Sequence, residues 1–119
     1  MNKSEILVNT IISAVQDKKG KRIVKSDLTF IGDTICSYLV VCEGNTPTQV
    51  SAIADAIEEK VNQQWSIKPI GKEGVNNSLW VVIDYGDVMA HVFVPDAREF
   101  YDLDNFWEDA RRTEIPDEW

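Results

Sequence analysis

Apolar positions recur at helical spacing in two stretches of the chain and alternate in a third. Leu7, Val8, Ile11, Ile12 and Val15 form one stripe over residues 2–19, and Asn2 with Glu5 three positions on has the capping-box shape. Lys18 and Lys19 suit the negative end of that helix, and Gly20 is placed for a left-handed cap. A second helix starts at Thr46 as N-cap, with Pro47 at its first position and Gln49 completing a capping box. Val50, Ile53, Ala54, Ile57 and Val61 follow at helical spacing while Asp55, Glu58, Glu59 and Lys60 face water, and the pattern ends near Gln63 or Gln64. Between the helices, Ile23–Phe30 reads as a short strand broken by Gly32-Asp33. Ser37–Cys42 reads as a central strand covered on both faces. Trp65–Ile70 is expected as a strand that Pro69 confines to an edge, and Gly71–Ser78 as a polar loop.

The alternating stretch holds the clearest signal. Leu79–Ile83 and Val88–Val94 are apolar runs separated by Asp84-Tyr85-Gly86-Asp87, and Gly86-Asp87 suits a two-residue II′ turn. That turn pairs Tyr85 with Val88, Asp84 with Met89, Val82 with His91 and Trp80 with Phe93. Because side chains alternate across a sheet, the hairpin has two unlike faces. Val81, Ile83, Tyr85, Val88, Ala90, Val92 and Val94 make an aliphatic face that reads as core. Trp80, Val82, Asp84, Met89, His91 and Phe93 make the other, where a carboxylate and the chain's single histidine sit among large apolar groups. Function is expected there.

After Val94, Pro95 starts a short helix over PDAREFYDL, and Leu103, Phe106 and Trp107 are placed to pack a last turn on the body. The element order predicts an α/β (α+β) domain with a mixed sheet of about five strands flanked by helices. Residues 1–108 make up that domain, and 109–119 read as an acidic, mobile tail with little to bury.

Composition narrows the class. At 119 residues and 44% apolar content the chain is long enough for a real core. No apolar run approaches the ~20 residues of a membrane span, and the start MNKSEILVNT lacks a signal-peptide pattern, so cytosol is the expected location. Cys36 and Cys42 match no zinc spacing and read as reduced thiols. The net charge is −8, and nine acids against three arginines put −6 of it in residues 95–119. That balance argues against broad nucleic-acid binding. It fits either simple solubility or attraction to a basic partner.

Catalytic patterns fare poorly. Asp84 is placed to orient His91, but no nucleophile-elbow serine accompanies them, and a histidine hydrogen-bonded on a strand face is the plainer reading. Neither GxGxxG, GxxxxGK[ST] nor HExxH occurs, so no cofactor or metal is expected. The aromatics are more telling. Seven of eleven fall between Trp80 and Trp107, interleaved with Asp84, Asp87, Asp96, Asp102 and Asp104. Such a pattern fits core packing and fits an interface for a basic protein surface equally well.

Trp80, Asp84-Tyr85-Gly86-Asp87, His91-Val92-Phe93, Pro95, Arg98, Phe100-Tyr101-Asp102-Leu103 and Trp107 together resemble the signature of the Iojap-like ribosomal silencing factors. Asp27-Leu28, Gly44-Asn45, Gln49-Val50 and residues 53–58 agree, so the resemblance spans residues 4 to 108. Asp104 stands where the family usually has Glu, and Asn76-Asn77 replace commoner charged or glycine residues. The resemblance implies a nucleotidyltransferase-like fold without catalytic activity. It further implies binding to the large ribosomal subunit through its protein L-fourteen, which blocks subunit joining and lowers translation when nutrients are scarce. On that reading Trp80 and Phe93 are apolar contacts, and Asp84 and Asp87 partner Lys or Arg. Tyr85 is contact or core. Arg98, Tyr101, Asp102 and Asp104 extend the patch, with Arg98 alternatively paired to an internal acid, and His91 bonds Asp84 in support. Two other readings are a metal-dependent nucleotidyltransferase-like enzyme using Asp84 and Asp87, and a homodimer formed through the hairpin face.

Overall fold

Capping side chains set both long helices. In the computed structural model, which describes residues 2–29, 31, 36–102 and 111–117, the Asn2 side chain accepts the Glu5 amide at 2.8 Å and starts α1 (Lys3–Asp17). Thr46 accepts the Gln49 amide at 3.1 Å and starts α2 (Pro47–Trp65). Gln49 reaches past its cap to the Asn45 amide, and its Nε2 donates to the carbonyls of Lys18 and Lys19, so one side chain ties the start of α2 to the end of α1. The left-handed residue after α1 is Lys19 (φ 58°) rather than Gly20. Gly20 serves close approach instead, since a Cβ there would fall 2.3 Å from Cγ1 of Val15.

The strands are β1 (Lys21–Asp27), β2 (Tyr38–Glu43), β3 (Gly71–Glu73), β4 (Trp80–Asp84), β5 (Val88–Phe93) and β6 (Arg111–Ile115). They form one mixed sheet in the order β3-β4-β5-β2-β1-β6, parallel only between β2 and β5. A short helix, α3 (Pro95–Tyr101), follows β5.

Helices α1 and α2 cover one face of the sheet. There Ile11, Val15, Ile53 and Ile57 meet Ile23, Val40, Val81, Ile83, Ala90 and Val92. A smaller cluster of Leu28, Cys36, Leu39, Val41 and Phe93 lies on the opposite face, joined by Ala97 of α3, Ile31, Trp80 and Met89. Covered on both sides, β2 is buried at all six positions, as its unbroken apolar run predicts. Cys36 and Cys42 fall in different clusters and are both buried.

Two elements differ from expectation. The strand predicted at Trp65–Ile70 is not one: α2 runs through Trp65, Ser66 takes the left-handed cap at φ 55°, and the edge strand is Gly71–Glu73, within the expected polar loop. All three β3 residues are exposed, so their pairing with β4 leaves no apolar trace. The expected mobile tail contributes β6, which pairs antiparallel with β1 from Ile23–Ile115 to Asp27–Arg111. It is exposed apart from Ile115, which packs against the helix-side core. The anticipated packing of Leu103, Phe106 and Trp107 lies outside the described residues.

Candidate docking surface

Hairpin register places the candidate residues. Trp80 pairs with Phe93, Val82 with His91 and Asp84 with Met89, as the II′ turn predicts. Gly86 has φ 89°, and the Tyr85 amide donates to the Val88 carbonyl at 2.9 Å, closing the hairpin. The Asp84 carboxylate accepts the Gly86 amide at 2.8 Å, which pins the turn. The Asp87 side chain is exposed, while its carbonyl accepts the amides of Ser37 and Tyr38.

Trp80 is the hub of the aromatic face. Its ring stacks on Phe93 with centroids 5.0 Å apart and meets Tyr101 of α3 at 4.5 Å. Phe100 sets its edge against Tyr101 at 5.1 Å. Phe93 is fully buried, whereas Tyr101 is 52% and Phe100 81% exposed. The aromatic column therefore runs from the core to the surface. Asp87 supplies an exposed carboxylate on the hairpin tip, and Asp96, Glu99 and Asp102 supply others along α3 and at its C-terminal cap.

The Trp80 indole donates to Nδ1 of His91 at 3.0 Å. An indole nitrogen only donates, so His91 accepts through a bare Nδ1 and carries its proton on Nε2. Burial pushes the His91 pKa down from 6.5 to about 4, so the ring is neutral at physiological pH. The expected His91–Asp84 bond is thus replaced: His91 holds Trp80, and Asp84 holds the turn.

Three predicted contacts are internal. Phe93 is the base of the column rather than a surface contact. Tyr85, 9% exposed, belongs to the helix-side core, as its place in the alternation requires, and its hydroxyl has no hydrogen-bond partner among the described residues. Arg98, 3% exposed, points inward to Glu43 and to the Arg22 carbonyl. Trp80, Asp84, Asp87, Tyr101 and Asp102 reach or approach the surface, and Asp104 lies outside the described residues. Glu43 escaped the sequence reading, which ended the central strand at Cys42, whereas β2 runs on through Glu43. The available signal was an acid ending an otherwise fully apolar strand.

Cys36 is raised to about 11 by burial and by nearby Asp84 and Asp87, and Cys42 to about 12 by burial, so neither is a ready thiolate. Among the described residues no three His, Cys, Asp or Glu side chains converge as a metal ion would need, and no helix is long and apolar enough to cross a membrane.

Residues 1–118 match the family model described as ribosomal silencing factor during starvation. The chain belongs to the ribosomal silencing factor family. Ribosomal silencing factor RsfS of Halalkalibacterium halodurans is 38% identical over 109 residues, covering 92% of each chain. Its Bacillus subtilis counterpart is 36% identical over 110 residues, covering 92% of this chain and 91% of that protein. The chloroplastic protein Iojap of Zea mays is 29% identical over 79 residues, 66% of this chain and 34% of that protein. A crystal structure of a Chromobacterium violaceum protein superposes with a TM-score of 0.83 at 28% identity, covering 99% of this chain and 97% of that one. The family is named for a regulatory role, and the match extends through β6, which pairs with β1 in the sheet.

Proposed function

We propose that this silencing factor binds the large ribosomal subunit through its protein L-fourteen, blocks joining of the small subunit and so represses translation when nutrients are limiting. The carrying observation is the aromatic column: Tyr101 packs on Trp80 and Phe100 on Tyr101, both rings exposed, and exposed carboxylates lie on the same short segment at Asp96, Glu99 and Asp102 and on the hairpin tip at Asp87. Exposed aromatics give affinity, and the carboxylates orient a Lys- or Arg-bearing protein surface. Trp80, Asp84, Asp87, Tyr101 and Asp102 are the proposed contacts, with Asp104 extending them. His91, Phe93 and Arg98 act from beneath, and Tyr85 belongs to the core.

The reading is non-enzymatic, needs no cofactor and places the protein in the cytoplasm with its ribosomes. Surface acids leave little role for direct contact with ribosomal RNA. A stable block buries roughly 1,200–2,000 Å² in total, so elements beside the hairpin must contribute. In the free chain the same face is available for pairing two copies, which concentration-dependent sedimentation measures. Sucrose-gradient sedimentation of isolated subunits tests the main reading: the protein should travel with the large subunit and keep the subunits apart. Full association in the presence of excess protein would overturn it.

A further inference from the structure

One carboxylate and two guanidinium groups meet where β1, β2 and α3 converge. Glu43 ends β2 and is 5% exposed, and its Oε2 lies 3.4 Å from Nη1 of Arg98 and 3.4 Å from Nη1 of Arg22. Arg98 Nη1 also donates to the Arg22 carbonyl at 2.6 Å. Arg22 itself has φ 49°, a left-handed conformation that non-glycine residues adopt at a cost, at the register break between Lys21 and Val24. Its amide donates to Asp117 just beyond β6. A strained backbone, a buried acid and a buried arginine are thus spent on one point of attachment.

That point matters because α3 is short. Its seven residues are too few for a stable isolated helix, and its N-cap, Val94, offers no side-chain bond. Arg98 is the buried residue of α3, and it sits one turn before Tyr101 and four positions before the left-handed Asp102, whose amide returns to the Arg98 carbonyl at 3.0 Å. Residues three and four apart share a helix face, so anchoring Arg98 sets where Tyr101 meets Trp80.

We propose that Glu43 is a positioning residue: with the Arg22 carbonyl it clamps Arg98, and so presents Phe100 and Tyr101 for docking. Glu43 is buried and touches no partner itself. The inference rests on the docking function proposed above, but the clamp is measurable in the free protein. Glu43→Gln keeps the shape and removes the negative charge that faces the Arg98 guanidinium. In that variant, amide exchange at residues 98–102 should accelerate at least about tenfold while α1 and α2 stay protected, and the Trp80 indole N–H resonance should move. Large-subunit affinity should fall about tenfold as well.

A double variant, Glu43→Leu with Arg98→Met, separates positioning from mere stability and carries the test if Glu43→Gln does not fold. Apolar replacement of a buried ion pair restores stability without restoring direction. The thermal midpoint should therefore recover, while α3 protection and subunit affinity stay low. Unchanged α3 exchange in a folded Glu43→Gln would overturn the clamp. So would recovery of α3 protection and affinity together with the midpoint in the double variant. A loosened α3 in a protein whose wild type binds no subunit would support the clamp and sink the docking reading alone.

Discussion

The hairpin of β4 and β5 has two faces built from the same alternation, and they solve different problems. Toward α1 and α2 it presents Val81, Ile83, Val88, Ala90 and Val92, all buried against aliphatic side chains. Toward α3 it presents Trp80, His91 and Phe93, linked by stacking and one indole–imidazole hydrogen bond. The first face ends in a closed core. The second ends in exposed rings and carboxylates. The contrast teaches that burial alone does not separate scaffold from site: Phe93 is as enclosed as Ile83 and His91 is buried too, yet they fix the position of a surface aromatic.

Truncating the column at its base should have the largest effect. Phe93→Ala removes a fully buried ring and should cost about 3–5 kcal/mol of unfolding free energy, read by urea denaturation. It should also abolish subunit binding, whereas Ile83→Ala on the other face should cost about 2–5 kcal/mol and leave the affinity of the still-folded fraction intact.

Acid should break the two faces unequally. His91 takes up a proton near pH 6.5 when unfolded but only near 4 when folded, so the folded state binds fewer protons between those values. The stability it contributes is complete above pH 6.5 and is lost as pH falls toward 4. The full loss is about 3 kcal/mol. Subtracting the pH–stability curve of His91→Gln from that of the wild type isolates this contribution, and a flat difference would contradict the buried neutral imidazole.

At the exposed end of the column the balance reverses. Tyr101→Ala should lower large-subunit affinity by about 2 kcal/mol, or some thirtyfold, as a hot-spot aromatic does. Being half exposed, its loss should change stability by less than about 1 kcal/mol. Equal losses of binding and stability would place Tyr101 with the core. The smallest effect is expected at Tyr85→Phe, which removes a buried hydroxyl without a partner among the described residues and should leave binding unchanged and stability equal or up to about 1 kcal/mol higher.

The two faces also show what the sequence makes legible. Hairpin register followed from a glycine–acid turn between alternating runs, and both long helices from their caps, because these signals are local and physical. β3 and β6 were hidden for the opposite reason. They are edge strands of exposed residues held mainly by backbone pairing, which places no demand on side-chain hydrophobicity. Trp65 and Ile67 imitated a strand, yet Trp65 ends α2, Ile67 follows its Ser66 cap, and both line an apolar groove beside α1. At the site, the alternation placed Tyr85 in the core correctly, whereas Arg98 and Glu43 meet across 55 positions, a partnership no local pattern encodes. His91 was legible as a supporting group, but its partner was not: Trp80 and Asp84 share one face, and only the rotamers decide between them.

Light scattering during subunit association, with wild type and Tyr101→Ala compared at equal concentration, tests the central claim most directly. The account predicts that the wild type suppresses association and that Tyr101→Ala, folded and as stable, does not. Equal suppression by both proteins, or by neither, would contradict it.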